Sequence, residues 1–421
     1  MEQVREQTLT DLLESGKKFS LYQKICLNLI ADQKKGTLLL TLPDGETIRI
    51  GEKDSPYRAT LRIHNYDMFR KSVLYGDIGF GESYVDGDWD TDSITNFISW
   101  WIYNIDNSPA LSGSKRKRFS PFNFLKMVNR LSHLFRSNTV TGARKNIAEH
   151  YDLSNDFYSL WLDPSMTYSS AHFRNGVQSL EEGQRQKYDR LCRKLKINAN
   201  DHVLEIGSGW GGFAVHAVKT YGCRVTTVTI SKEQYDFARA RFEREGISGS
   251  VDIRMMDYRD LTGQFDKIVS IEMLEAVGHE FLETYFRKCQ EVLNPNGLMG
   301  FQVITSPDSR YDEFRKGVDW IQTHIFPGTL LPSIAAMNTA VNKTGDMHLL
   351  DVKDFGKDYA RTLSLWREAF NNKLDRIKEL GFDEKFIRKW NYYLSYCEAG
   401  FAMRNISVIQ MIYTRPNNLS S

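Results

Sequence analysis

The chain has 421 residues, too many for one ordinary core and enough for two domains. Apolar residues make up 41% and aromatics 12%, which excludes a globally disordered chain. The formal net charge of +2 selects no polyanionic partner, and five scattered cysteines without a CxxC pair exclude a disulfide framework or a zinc site.

The N-terminal residues mix acids and bases and lack an apolar signal core. Leu21 to Ile30 is expected to be a short helix, and the β-rich runs on either side of Pro43-Asp44-Gly45 a hairpin. Ala59 to His64 alternates as a third strand does, Gly76 to Trp89 is dense in Gly and Asp and is expected to be loop-rich, and Ile94 to Tyr103 is an aromatic helix. Residues 112–148 carry nine Lys or Arg and no acid. Within them Phe122, Leu125, Val128, Leu131, Leu134 and Phe135 recur at helical spacing, so this helix is amphipathic with a cationic side. It is either an interdomain helix packed on the protein or one that lies on anionic headgroups. No recognition motif accompanies the charge, so nucleic-acid binding is not expected.

From about residue 185 short apolar runs alternate with helical segments. Val203–Ile206, Arg224–Thr229, Val251–Met255, Lys267–Ile271 and Gly297–Val303 are the expected strands, and 212–221, 231–245 and 281–292 the helices between them. The alternation predicts an α/β fold with a parallel, doubly wound sheet. A helix-rich stretch, Ser333–Phe401, precedes a late strand, Ile406–Thr414. No run is long enough to span a bilayer, so membrane contact is expected to be peripheral.

The clearest motif is Val203-Leu-Glu-Ile-Gly207-Ser-Gly209-Trp-Gly211-Gly212, a strand running through glycines into a helix. Its glycines let the backbone turn sharply and approach a ligand, and Glu205 can take a cationic or hydroxyl group. A dinucleotide site favours GxGxxG facing a pyrophosphate; the GxGxG form with an acid two residues upstream fits a methyltransferase. Thr229, Ile230, Ser231 and Gln234 lie where a ribose would sit. Asp257 could bond an adenine amino group, and Tyr258 could cover the ring. Ser208 and Gly212 complete this cofactor set.

These motifs, in order, resemble the cyclopropane-fatty-acyl-phospholipid synthase family. His150-Tyr-Asp-Leu-Ser-Asn-Asp, Leu162-Asp-Pro-Ser-Met-Thr-Tyr-Ser-Ser, the glycine motif, Ile271-Glu-Met-Leu-Glu-Ala-Val-Gly, Ile325-Phe-Pro-Gly and the segment around Cys397 carry the resemblance, together with Gly36–Gly45 and Gly76–Trp89. It implies a class I S-adenosylmethionine methyltransferase with a Rossmann-like sheet and a helical insertion, joined to a smaller N-terminal α+β lipid-binding domain. The implied boundaries are 1–111 for that domain, 112–148 for the basic linker and 149–421 for the catalytic domain. The implied reaction adds the sulfonium methyl across a cis double bond of a phospholipid acyl chain and yields a cyclopropane. Tyr168 and Ser169 join the expected cofactor contacts.

An alkene is a weak nucleophile, so the site must be dry and must hold the methyl against the π bond. Aromatic faces stabilise the resulting carbocation; Tyr151, Phe157, Tyr158, Trp161, Tyr168, Phe173, Trp320 and Phe326 are candidates. The resemblance also implies a bound bicarbonate that removes a proton, held by a Cys, a Glu, a His, an Ile backbone group and a Tyr. Those positions fall here on Ser170, Glu275, Gln302, Ile304 and Arg367. Proton loss elsewhere gives a methyl-branched or methylene chain, and a non-catalytic lipid-binding relative is the reading from another class. Cys397 matches a cysteine once regarded as catalytic, although a carbocation route needs no thiolate. The implied setting is cytoplasmic, peripheral on the inner face of the membrane, with a phospholipid bilayer as partner and a homodimer as the assembly.

Overall fold

The structure is a computed structural model that describes Leu9, Leu12 and residues 17–105, 153–174, 176 and 179–419. The basic stretch 112–148, with the amphipathic helix expected there, and Tyr151 lie outside the described residues. The chain forms two compact units. One comprises Met1–His133, Lys316–Ile325 and Gly381–Asn405; the other comprises Leu134–Arg315, Phe326–Leu380 and Ile406–Ser421. This division differs from the expected boundaries, because two segments of the C-terminal half belong to the first unit.

In the first unit, α1 (Leu21–Ala31) opens with a capping box: the Ser20 hydroxyl accepts from the Gln23 N–H and the Gln23 side chain accepts from the Ser20 N–H. The hairpin expected around Pro43-Asp44-Gly45 is formed by β1 (Thr37–Thr41) and β2 (Thr47–Gly51), and β3 (Arg58–Ile63) runs parallel to β1. Leu38, Leu40, Ile48, Ile50 and Leu61 are buried, as the two-residue period of a half-covered sheet requires. The loop expected at Gly76–Trp89 is corrected: α2 (Asp67–Val85) runs through most of it, kinked at Gly76 where φ is 63°. Its glycines serve close packing rather than turns, since a Cβ on Gly81 would lie 2.4 Å from the Trp320 ring. A two-residue β4 (Trp89–Asp90) gives the order β2-β1-β3-β4. The helix α3 (Ile94–Tyr103) packs with the helix Glu384–Ala402, and the Thr95 hydroxyl donates to Glu398 at 3.0 Å. That packing is why 381–405 joins this unit.

The second unit contains α4 (Leu180–Lys194), β5 (His202–Ile206), α5 (Gly212–Tyr221), β6 (Arg224–Thr229), α6 (Lys232–Arg244), β7 (Val251–Met255) and β8 (Phe265–Ile271). Then follow α7 (Leu282–Val292), β9 (Leu293–Thr305), α8 (Ile334–Thr344), β10 (His348–Asp354), α9 (Gly356–Asn371) and β11 (Ser407–Thr414). The sheet order is β10-β11-β9-β8-β5-β6-β7, parallel from β9 through β7, with β11 antiparallel to both of its neighbours. Tyr188, Phe213, Ala217, Ala238 and Phe242 from α4, α5 and α6 form one buried layer, and Tyr285, Phe286, Met337 and Val341 from α7 and α8 another. This is the doubly wound sheet the alternation predicts. The expected helix-rich stretch also holds β10, an edge strand that leaves Leu350 and Val352 exposed. Among the described residues no helix is long and apolar enough to cross a membrane, and no cluster of His, Cys, Asp and Glu could hold a metal.

Candidate functional site

β5 and β8 are neighbours whose connections leave in opposite directions, so their carboxyl ends open the crevice in which sheets of this type bind ligands. β5 ends in the glycine loop. Gly207 has φ 99° and Gly211 φ 83°, conformations that other residues adopt only under strain. A Cβ on Gly211 would sit 2.7 Å from Phe242, and one on Gly212 would sit 2.7 Å from the Tyr188 hydroxyl. Gly209, at φ 48°, has no atom within 4 Å of its Cβ position. The loop is therefore fitted to the protein on one side and open on the other.

In and just before this loop two side chains each have a buried oxygen without a protein partner. Glu205 is 3% exposed, its Oε2 has no protein partner, and burial pushes its carboxyl up to about 8. The Ser208 hydroxyl is likewise buried without a protein partner. Buried polar groups without partners are costly, and a ligand with hydroxyl or cationic groups would satisfy both, so the residues fit S-adenosylmethionine. Thr229, Ser231 and Gln234 mostly serve one another and the start of α6: the Thr229 hydroxyl donates to Gln234 Oε1 at 2.9 Å, and the Ser231 hydroxyl accepts from the Gln234 N–H at 3.3 Å. Ile230 contributes backbone between them. Asp257 is buried with its carboxylate held by Arg259 at 2.8 Å, and the Tyr258 ring meets Tyr285 edge-on at 5.1 Å. Both stand at the expected strand end, but Asp257 must share its carboxylate with Arg259 to hold an adenine.

β8 runs into a turn with two carboxylates, Glu272 and Glu275. This turn meets the glycine loop, because Met273 lies 3.4 Å from the Cβ position of Gly207. Glu275 is 7% exposed; its Oε1 accepts from the Ile304 N–H at 2.5 Å, while Oε2 has no protein partner. Burial, with the charge of Glu272 adding to it, pushes the Glu275 carboxyl up to about 8.

Glu272, not singled out from the sequence, is the hub. It has φ 50°, strained for a residue with a side chain, and stays half-buried. Its Oε1 accepts from the Ser170 N–H at 2.9 Å and Gln302 Nε2 at 2.7 Å, and its Oε2 from the Tyr359 hydroxyl at 2.7 Å. Burial raises its carboxyl, and the charge of Lys187 pulls it back; burial lowers the Lys187 ammonium in turn. Lys187 Nζ donates to the Ser169 hydroxyl at 2.6 Å, so Ser169 serves this cluster.

The expected anion ligands are largely committed. Gln302 Nε2 also donates to the Ser170 carbonyl at 3.2 Å, and its Oε1 accepts from Gln410 Nε2 at 3.0 Å. The Ser170 hydroxyl donates to the Ala171 carbonyl at 2.9 Å. On α9 the hydroxyl that reaches this cluster is that of Tyr359, a residue not singled out from the sequence. Arg367 lies eight residues further along α9, a rise of roughly 12 Å. The segment carrying Ser170 is tied to α9 by Thr362, which accepts from the Ala171 N–H at 3.1 Å, and by Asp358, 2.7 Å from His172 Nδ1.

An aromatic wall adjoins. Tyr168 lies 5.5 Å from Tyr158, 5.6 Å from Trp161, 5.2 Å from Trp366 and 6.3 Å from Phe326, centroid to centroid. Tyr168 thus belongs to this wall. Of the other candidates, Phe157 packs on Phe370, Phe173 lies beneath the Arg361 guanidinium, and Trp320 belongs to the first unit. Cys397 also belongs to the first unit, and burial pushes its thiol up, away from the thiolate.

Residues 138–411 match the mycolic acid cyclopropane synthetase family. The chain is 36% identical to the tuberculostearic acid methyltransferase UfaA1 of Mycobacterium tuberculosis, over 90% of this chain and 88% of that one. It is 35% identical to the cyclopropane-fatty-acyl-phospholipid synthase of Escherichia coli, over 85% and 88%. Among solved structures it is similar to the cyclopropane synthase MmaA2 from Mycobacterium tuberculosis, at 29% identity and a TM-score of 0.60, covering 65% of this chain and 98% of that one. The mycolic acid cyclopropane synthase CmaA1 complexed with SAH and CTAB is similar at 30% identity and a TM-score of 0.59, over 65% and 98%.

Proposed function

Because the chain belongs to the mycolic acid cyclopropane synthetase family, whose members are S-adenosylmethionine-dependent methyltransferases of lipids, we propose that its substrate is the cis double bond of an unsaturated acyl chain in a membrane phospholipid and its product a cyclopropane. One observation supports this reading most: the glycine loop touches the turn bearing two carboxylates, Glu272 half-buried and Glu275 buried, and that turn is tied to an aromatic wall through Tyr168–Ser170. S-adenosylmethionine supplies a methyl carbon made electrophilic by its sulfonium.

Glu205, Ser208 and the glycine backbone would hold the cofactor beside Met273. The wall of Tyr158, Trp161, Tyr168, Phe326 and Trp366 would keep water from the alkene and present π faces to the positive charge that develops on it. The turn after β8 offers a carboxylate whose negative charge a cation and its departing proton need. A second reading, a methyl-branched or methylene product, is favoured by the occupied donors around Ser170 and Gln302, since they alter the surroundings of the proton acceptor. The same reading puts the protein at a bilayer surface on the cytoplasmic face, peripherally bound, with a homodimer as its assembly.

The test is incubation of purified protein with S-adenosylmethionine and vesicles of a monounsaturated phospholipid, followed by mass spectrometry of the acyl chains. A chain one methylene heavier that resists hydrogenation is the expected product. Unchanged acyl chains would overturn the reading.

A further inference from the structure

The resemblance requires an external anion, so the donors that would grip it ought to point at open space. They do not. The Ser170 N–H and Gln302 Nε2 converge on Glu272 Oε1 at 2.9 and 2.7 Å, and the Tyr359 hydroxyl reaches Oε2 at 2.7 Å. Gln302 has no spare amide hydrogen, since its second donation goes to the Ser170 carbonyl. Its orientation is fixed from behind by Gln410, which is its cross-strand neighbour and is itself held by Arg190 at 2.9 Å. Three donors in fixed positions around one carboxylate match what a trigonal oxyanion demands of its site. A bound bicarbonate there would compete with Glu272 for every one of them and would meet its charge.

We infer that the Glu272 carboxylate occupies the place of the bicarbonate in this protein and takes the proton from the methylated acyl chain. The inference rests on the alkene-methylation reading above. In the step, the π pair of the alkene forms a C–C bond to the methyl carbon as its C–S bond breaks, leaving a neutral thioether and a carbocation. A C–H proton then passes to a Glu272 oxygen, and the electron pair of that C–H bond closes the ring. Glu272 ends as a neutral carboxylic acid and loses the proton to solvent after product leaves.

Three further observations agree. As a residue Glu272 keeps some of its surface accessible, whereas Glu275 is 7% exposed. Its backbone is held at φ 50° although glycine alone would be free of strain there, and the fold sustains that strain at this residue. Lys187 supplies a buried positive charge close by, and it belongs to the chain rather than to a ligand.

The test uses the full-length protein and two variants, Glu272→Gln and Glu272→Gly; the glycine suits the positive φ and opens the anion space. Line broadening of ¹³C-bicarbonate by NMR reads anion binding without turnover. Wild type is expected to leave the line sharp, and Glu272→Gly to broaden it. In carbon-dioxide-free buffer wild type keeps its rate, Glu272→Gln loses about a hundredfold, and Glu272→Gly regains about tenfold when bicarbonate is added. Calorimetry with S-adenosylhomocysteine shows both variants folded through unchanged binding. Bicarbonate binding by wild type, or wild-type turnover that collapses without bicarbonate and returns with it, would overturn the inference. Absence of any methylated lipid would refute the alkene reading, while the NMR measurement still decides the identity of the anion.

Discussion

Replacing Gly211 by Ala tests whether the cofactor loop is built against the protein as described. The new methyl would lie 2.7 and 2.8 Å from two ring carbons of Phe242 and 3.4 Å from Ala238. Phe242 is 2% exposed within the layer formed by α4, α5 and α6, so its ring has nowhere to swing. The residue would also hold φ near 83° with a side chain. Overpacking of about 1–3 kcal/mol and left-handed strain of about 1–2 kcal/mol together predict a loss of roughly 2–5 kcal/mol. Gly209→Ala is the internal contrast: nothing stands within 4 Å, so only the strain remains, about 1–2 kcal/mol. That variant instead intrudes on the open side of the loop and should weaken S-adenosylhomocysteine binding by more than its stability falls. Urea unfolding followed by circular dichroism, with calorimetric titration of the ligand, reads both quantities. Equal stability losses for the two variants, or a Gly211→Ala loss below about 1 kcal/mol, would refute this account of the loop.

Further outcomes follow from the carboxylates and the basic stretch. Burial holds Glu205 protonated up to about 8, so its contribution to the stability of the ligand-free protein falls as pH rises from the unfolded value of 4.5 toward 8. Ribose hydroxyls favour its ionised form, so cofactor binding at pH 7 should release close to one proton, measured by calorimetry in buffers of different ionisation enthalpy; Glu205→Gln should abolish the release, and a wild type that releases none would contradict the assignment. Glu275→Gln preserves an acceptor for the Ile304 N–H and mimics the protonated form, so turnover should fall by less than about tenfold, while Glu275→Ala should fall by about a hundredfold or more; the reverse order would show that Glu275 acts through its charge. Neutralising Lys115, Arg116, Lys117 and Arg118 should weaken binding to anionic vesicles in a salt-dependent manner, and salt-insensitive, unchanged sedimentation with vesicles would assign that stretch a connecting role.

The parts of this molecule legible in its sequence are those written locally. The strand, glycine turn and helix at 203–221 announce themselves because turn geometry and apolar periodicity act over a few residues, and the hairpin around Pro43-Asp44-Gly45 does so for the same reason. The misreadings have physical causes. Gly79 and Gly81 look like turn residues, yet they sit inside α2 because Lys71 and Trp320 leave no room for a Cβ. β10 pairs on one side only and exposes Leu350 and Val352, so its apolar pattern is not that of a covered strand. The Glu272 cluster draws on residues 170, 187, 272, 302 and 359, and no local pattern reports that α9 delivers the Tyr359 hydroxyl to it. A charged residue directly after the apolar run of β8 was the one available hint of Glu272.

Transfer of a fully deuterated methyl group from S-adenosylmethionine to vesicles of a monounsaturated phospholipid tests the central claim most directly, with mass spectrometry of the recovered acyl chains. The account predicts label in the acyl chain with two of the three deuterium atoms kept, because ring closure removes one from the new methyl. Acyl chains that stay unlabelled beside consumed cofactor would contradict it.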